Sequence, residues 1–407
     1  MKIVLATFGS RGDVQPMLAL SLALQSVGHN VLLAAPPEKG EWVRQMGVPF
    51  QPLGNDITAF IDTMKDAHSI RWFIDCSRYL RKEFISQFQI FPKIIAGADL
   101  VVGASLVGAL SSVAESMGIP YRFVAFSPSM LPSIHHPSPI CKHQEFPKYY
   151  NRITWQIGKI FNRLSLTALV NGGRKKLGLQ PVKDAWLNIL GQRVIVASDN
   201  AISTVPPDAK PTFVQTGYLH LHQPDQHIEE LEIFLDAGPP PVYAGFGSMP
   251  KKVQIDNVSI IVQAARSAGS RVVIAKFWEE PSEFSRSDDV FFISKYPHLK
   301  LFPRTAGVIH HGGAGTTAAS AASGVPQIVI PHLLDQYYWG HQVYQSNLGP
   351  KPIWRHRITS RKLAGAIREA LSNDLMRQKA KKVSRMIDRH NSLELAVREV
   401  LRENPEK

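Results

Sequence analysis

Gly307–Ser320 reads GVIHHGGAGTTAAS: an apolar strand, two histidines, three glycines within four residues and two threonines opening a helical stretch. Glycines at such a junction let backbone N–H groups approach a bulky anion, and the positive end of the helix adds to the attraction. Gly312, Gly313 and Gly315 supply the access, Thr316 and Thr317 add hydroxyls, and His311 can donate to a phosphate oxygen. GFGS at Gly245–Ser248 repeats the idea at an earlier strand end, so the two turns form a candidate diphosphate cradle. The alternative is a tight turn without a ligand. No Walker lysine follows the glycines, which excludes a P-loop.

Two further turns carry acids. PHLLDQYYWGHQ at Pro331–Gln342 follows the next strand, and Asp335 with Gln336 is a carboxylate–amide pair suited to sugar hydroxyls. The alternative is a solvated loop feeding Tyr337, Tyr338 and Trp339 into a core. GSRGD at Gly9–Asp13 sits where the first strand turns into the first helix. Its G-x-x-G spacing is not the dinucleotide fingerprint, so NAD binding is not expected. Ser10, Arg11 and Gly12 can line a phosphate, whereas the Asp13 carboxylate would repel one placed directly on it. Asp caps helices well, and a general base also belongs at such a strand end. Both roles coexist only if the anion lies on the other half of the chain.

These turns need strands and helices to hold them. Ile3–Thr7, Asn30–Ala35, Leu100–Gly103, Tyr121–Phe126 and Val194–Ala197 read as buried strands, with helical patterns such as Val14–Val27 between them. The rhythm breaks at HLHQPDQHIEELEIFLDAGPPP and restarts with Val242–Phe246, Val272–Ala275, Val290–Ile293, Val308–His310 and Ile328–Ile330. The expected organisation is an α/β acceptor domain over 1–220, a linker over 221–241, a second α/β domain over 242–390 and a tail over 391–407. The site is expected in the cleft between the halves.

The 407 residues carry a net charge of +13, which fits phosphate-bearing ligands, an anionic membrane surface or nucleic acid. No block of like charge is long enough to favour nucleic acid. Two cysteines argue against a disulfide framework. The N-terminal apolar run is too short for a signal sequence, and no run of about 18 apolar residues occurs. A cytoplasmic protein is expected.

GSRGDVQP, GFGSM, HHGGAGTT and DQYYWG resemble the motifs of inverting, GT-B fold nucleotide-sugar glycosyltransferases. That family includes bacterial glycopeptide-antibiotic and macrolide glycosyltransferases, sterol 3-β-glucosyltransferases and UDP-glycosyltransferases of plants and animals. The resemblance covers nearly the whole chain and is strongest from Pro239 to Gln342. It implies two Rossmann-like doubly wound domains facing across a cleft, with the donor on the C-terminal half. It also implies that His311, Gly312, Gly313 and Thr316 contact the diphosphate, with Ser248 nearby and Ser10 and Arg11 opposite. By the same pattern His298 and Leu299 flank the nucleobase, and Asp335 and Gln336 hold the sugar. In the plant branch a catalytic histidine aligns with Asp13; here, as in the antibiotic and sterol branches, the residue is Asp. The implied donor is a UDP- or dTDP-sugar used as co-substrate, with no cofactor. No D-x-D motif occurs, so no metal bridge to the diphosphate is expected.

The acceptor half says less. Asp56–Gln89 is rich in aromatic and aliphatic residues, and Phe126–Tyr150 is a long Pro- and His-rich loop that includes Ser129. An apolar acceptor pocket is expected there. His135, His136, Cys141 and His143 are metal-like residue types at a spacing that fits no standard zinc site. Lys142–Lys183 is basic, and Arg152–Leu169 carries an apolar stripe. The favoured reading is a helix packed on its own domain with a solvated basic face; the other is peripheral contact with an anionic membrane that carries a lipid acceptor.

Overall fold

The computed structural model describes residues 1–56, 70–223, 227–247, 251–276, 287–294 and 296–402. In the N-terminal half β1 (Lys2–Phe8), β2 (Asn30–Ala35), β3 (Phe50–Pro52), β4 (Leu100–Ser105), β5 (Tyr121–Ala125), β6 (Arg193–Val196) and β7 (Thr212–Gln215) form one sheet. Its order is β3-β2-β1-β4-β5-β6-β7, and every pairing is parallel. In the C-terminal half β8 (Val242–Gly245), β9 (Val272–Ala275), β10 (Val290–Ile293), β11 (Gly307–His310) and β12 (Gln327–Val329) form a second parallel sheet, ordered β10-β9-β8-β11-β12. Both faces of β1 are buried: Ile3 and Leu5 join one cluster, Val4, Ala6 and Phe8 the other. That is why the strand reads as one apolar run.

The helices that bear on function are α1 (Arg11–Ser26), α2 (Lys148–Asn162), α3 (Glu229–Asp236), α4 (Ala314–Ala322), α5 (Asp335–Gln345) and α6 (Arg389–Leu401). In each sheet the strand order reverses beside its first strand, between β1 and β4 and between β8 and β11. Connections leave in opposite directions there, which opens a crevice at the carboxyl ends of the strands. Asp13 and the glycine turns lie at these two points.

Three features differ from the sequence expectation. The edge strands β3 and β7 are short or polar and were not legible as strands. The expected linker contains α3, whose Leu231, Phe234 and Leu235 pack under the second sheet. The expected tail is α6, which returns to the first half: Ala396, Val397 and Val400 pack with Leu18 and Leu24 of α1. Arg193 pairs with the buried Glu399 at 2.7 Å, and Arg122 donates to the Arg402 carbonyl at 2.6 Å. Among the described residues no helix is long and apolar enough to cross a membrane.

Candidate active site

Gly9 and Ser10 turn β1 into α1. The Ser10 hydroxyl accepts from the Gly12 N–H at 3.2 Å. Asp13 reaches back, and its Oδ2 accepts from the Ser10 N–H at 2.7 Å and from the Ser10 hydroxyl at 2.9 Å. This reciprocal arrangement is a capping box with Asp at its fourth position. A Cβ on Gly9 would lie 2.3 Å from Asp13 Oδ2, so only glycine leaves room for the carboxylate. From the end of β4 the Ser105 hydroxyl donates to Asp13 Oδ1 at 2.6 Å. Ser105 holds φ at 59°, a left-handed conformation that is costly for a residue with a Cβ. Burial raises the Asp13 pKa above the ordinary carboxylate range, against the pull of its hydrogen bonds to Ser105 and Ser10. The carboxylate is thus a helix cap held from two sides, with its affinity for a proton raised.

Arg11 lies over the Trp42 ring at 4.2 Å, and burial lowers its pKa. Its charge is felt across the cleft at His298, whose pKa falls to about 4 through burial and then through Arg11. The His298 ring stacks on Phe302 at 4.5 Å and lies 3.3 Å from the Tyr243 hydroxyl. Leu299 packs on the same apolar cluster.

In the C-terminal half, Gly313 is the N-cap of α4 and provides no side-chain acceptor, so the N–H groups of the first turn could hold an anion. His311 stands between the two small-residue turns. A Cβ on Gly247 would lie 2.9 Å from its Cε1, and one on Gly313 would lie 2.5 Å from its Nε2. Both glycines therefore make room for the imidazole. Burial, then the nearby His298, lowers the His311 pKa to about 4, so the ring is a neutral donor, and its buried Nδ1 has no partner within the protein. Gly312 takes φ at 87°, and its N–H donates to His310 Nδ1 at 3.1 Å. His310 Nε2 lies 3.0 Å from Gln327 Oε1, which fixes the turn from behind. Thr316 is half-buried, and the buried Thr317 hydroxyl has no partner. Ser248 lies outside the described residues.

Gly315 has a different reason. Its Cβ would lie 2.7 Å from the Tyr218 hydroxyl, so glycine here admits a tyrosine that follows β7. Burial raises the Tyr218 pKa, and the charge of Asp13 adds to the shift, which brings this ring to both halves of the site.

Asp335 opens α5 behind Leu334, which holds φ at 49°. Burial, then the charge of Asp13, pushes its pKa up to about 7. Gln336 Oε1 accepts from the His332 and Leu333 N–H groups at 2.9 and 3.1 Å, so its amide nitrogen is the part left for a ligand. His332 is buried with both ring nitrogens unpartnered, and its pKa falls to about 3 through burial, His311 and Arg355.

The fold thus gathers Ser10, Arg11, Gly12, Asp13, His298, His311, Gly312, Gly313, Gly315, Thr316, Asp335 and Gln336 around the two switch points. It adds Ser105, Tyr218, His310 and His332, for which local sequence carried no signal beyond the His310–His311 doublet. It scatters the histidine–cysteine cluster: His135 faces Asp208, His136 packs edge-on between Trp155 and Tyr338, and His143 packs edge-on against Phe146. Ser129 is buried and lies 2.7 Å from the Ser127 hydroxyl, so it does not line an open acceptor pocket.

Two doubly wound parallel-sheet domains, with glycine turns in one and a held carboxylate in the other, are the architecture of the GT-B glycosyltransferases. The glycosyltransferase family 28 N-terminal domain matches residues 3–136, and the erythromycin biosynthesis protein CIII-like C-terminal domain matches residues 262–397. The vancomycin aglycone glucosyltransferase of Amycolatopsis orientalis is 35% identical over 86% of this chain and 85% of its own. A sterol 3-beta-glucosyltransferase of Arabidopsis thaliana is 29% identical over 93% of this chain and 64% of its own. In structure, the calicheamicin glycosyltransferase CalG4 superposes with a TM-score of 0.73 at 16% identity, over 98% of this chain and 97% of its own. The glycosyltransferase VinC, solved with dTDP, gives 0.69 at 20% over 98% of both chains. The chain belongs to the GT-B family of antibiotic and sterol glycosyltransferases and is a nucleotide-sugar-type glycosyltransferase.

Proposed function

We propose that this chain moves a hexose from a nucleoside diphosphate sugar to a hydroxyl of a small, lipophilic acceptor of the sterol, lipid, polyketide or glycopeptide class, with inversion and without a metal. The observation that carries the reading is the Asp13 carboxylate, fixed by Ser10 and Ser105 and coupled electrostatically to Asp335 at the head of the donor-side helix. Asp13 takes the acceptor proton as the acceptor oxygen bonds to the anomeric carbon, and the bond from that carbon to the diphosphate oxygen breaks on the opposite face. Negative charge then builds on the diphosphate. The first turn of α4 and the neutral His311 stabilise it, each helix end by about 0.3–1 kcal/mol at exposed sites and more in a closed cleft. The amide of Gln336 and the carboxyl of Asp335 hold the sugar, and His298 and Leu299 flank the base. Site of action is proposed as the cytoplasm, at the inner face of a membrane where the acceptor is lipid-soluble.

The test is incubation with UDP- and dTDP-sugars and a panel of hydroxylated acceptors, with products identified by mass spectrometry and their anomeric configuration by NMR. A β-linked product from an α-linked donor is expected. Release of free sugar with no transfer to any acceptor would make the chain a hydrolase of the same fold.

A further inference from the structure

The stretch Arg152–Leu169 was expected to turn its apolar stripe into its own domain. The structure turns it outward. Tyr149 is 71% exposed, Ile160 62%, Phe161 63% and Leu164 77%, and Tyr150 and Ile157 are exposed with them. α2 runs directly into a π-helical turn at Arg163–Thr167, so these residues share one continuous helix surface. At about 100° per residue, the exposed apolar side chains fall within an arc of about 120°. By the same count the exposed Lys148, Arg152, Lys159 and Arg163 fall within a neighbouring arc of about 60°. A third face, centred on the buried Asn151 and including Trp155, packs inward.

The charge pattern says what this surface meets. No Asp or Glu lies between Glu145 and Asp184. Among the described residues, none of the four cations has an acidic partner within ion-pair distance. A second copy docked across a two-fold axis would bring a second cationic stripe to the interface and, from this helix, no acid to offset either one. An apolar ridge flanked by unpaired cations instead suits an anionic bilayer, with the ridge among the acyl chains and the cations at the headgroups.

We propose that α2 and the turn after it dock this enzyme on an anionic membrane surface. Its inner face leads to the site. Trp155 donates to the His136 carbonyl at 3.1 Å, and the His136 ring packs edge-on against Tyr338 of α5, the helix that begins at Asp335. Docking therefore sets the bilayer against the wall of the cleft. Delivery of a lipophilic acceptor from that bilayer rests on the transferase reading above; the docking itself does not.

The test is co-sedimentation of the full chain with vesicles of phosphatidylcholine alone and of equimolar phosphatidylcholine and phosphatidylglycerol. Binding is expected only to the second, and is expected to weaken as salt rises. The triple variant Arg152→Glu, Lys159→Glu, Arg163→Glu should lower the partition coefficient by at least about a hundredfold. Ile160→Ser, Phe161→Ser, Leu164→Ser should lower it comparably. All six positions are exposed, so thermal shift by a nucleoside diphosphate and transfer to a water-soluble acceptor should be unchanged. Equal binding to both vesicles, or binding that survives either triple variant, overturns the proposal. So does a chain that dimerises in light scattering and becomes monomeric in the serine variant. Vesicle binding that follows these expectations, in a chain that binds no nucleotide sugar, keeps the surface and refutes the transferase reading instead.

Discussion

Asp13→Asn removes a charge and a proton acceptor while it keeps the shape of the turn. The carboxylate makes three hydrogen bonds, at 2.7 and 2.9 Å to Ser10 and 2.6 Å to Ser105. An Asn oxygen can accept both from Ser10, and its amide can donate to the Ser105 hydroxyl, which reverses its role. No buried group is orphaned, so the stability cost should stay within about 1 kcal/mol. Turnover is another matter. A positioned general base contributes about 10²–10⁴-fold, or about 3–5 kcal/mol of barrier. kcat at saturating donor should fall by at least about a hundredfold, while calorimetric affinity for the bare nucleoside diphosphate stays near that of the wild type. The pH profile gives a second readout. Asp13 acts when ionised, and burial raises its pKa, so the wild-type rate should climb with pH through an acid limb above the ordinary carboxylate range. The Asn variant should lack that limb. A variant within tenfold of wild-type turnover, with the same acid limb, would refute the assignment and reduce Asp13 to a cap.

Four further perturbations test the site. His311→Ala should weaken nucleoside diphosphate binding in calorimetry by about 1.5–3 kcal/mol, the worth of a hydrogen bond to a charged group. Asp335→Asn should spare the bare diphosphate and weaken the nucleotide sugar, because only the sugar offers it hydroxyls. The same variant should change the pH dependence of stability. The folded-state pKa of Asp335, about 7, stands above the ordinary 3.8, so wild-type stability is full at low pH and is lost as pH rises toward 7. The variant should therefore melt higher than wild type near pH 8 and not near pH 4, as read by differential scanning calorimetry. Gly315→Ala should lower the melting temperature although Ala favours helix, because its Cβ would lie 2.7 Å from the Tyr218 hydroxyl; adding Tyr218→Phe should restore it. Transfer should survive a strong chelator, and loss in EDTA restored by magnesium would mean that a metal ion, and not the glycine turns alone, holds the diphosphate.

Local sequence reached those parts of the site that are built within a few residues. A strand end, a glycine turn and a helix start are adjacent in the chain, so GSRGD and HHGGAGTT by themselves place Asp13 and His311 at strand ends that open helices. The strand rhythm likewise announced two parallel sheets, because strands buried on both faces must be apolar throughout. Tertiary structure decided what depended on separation. Ser105 reaches Asp13 from 92 residues away, and Tyr218 reaches Gly315 across the two halves. Gly247 and Gly313 look like open backbone in sequence, yet each is glycine because the His311 ring occupies the space beside it. The apolar stripe of α2 was visible as a 3.6-residue period. A period defines a face but carries no information about which way it turns, and only packing by distant residues such as His136 set it outward.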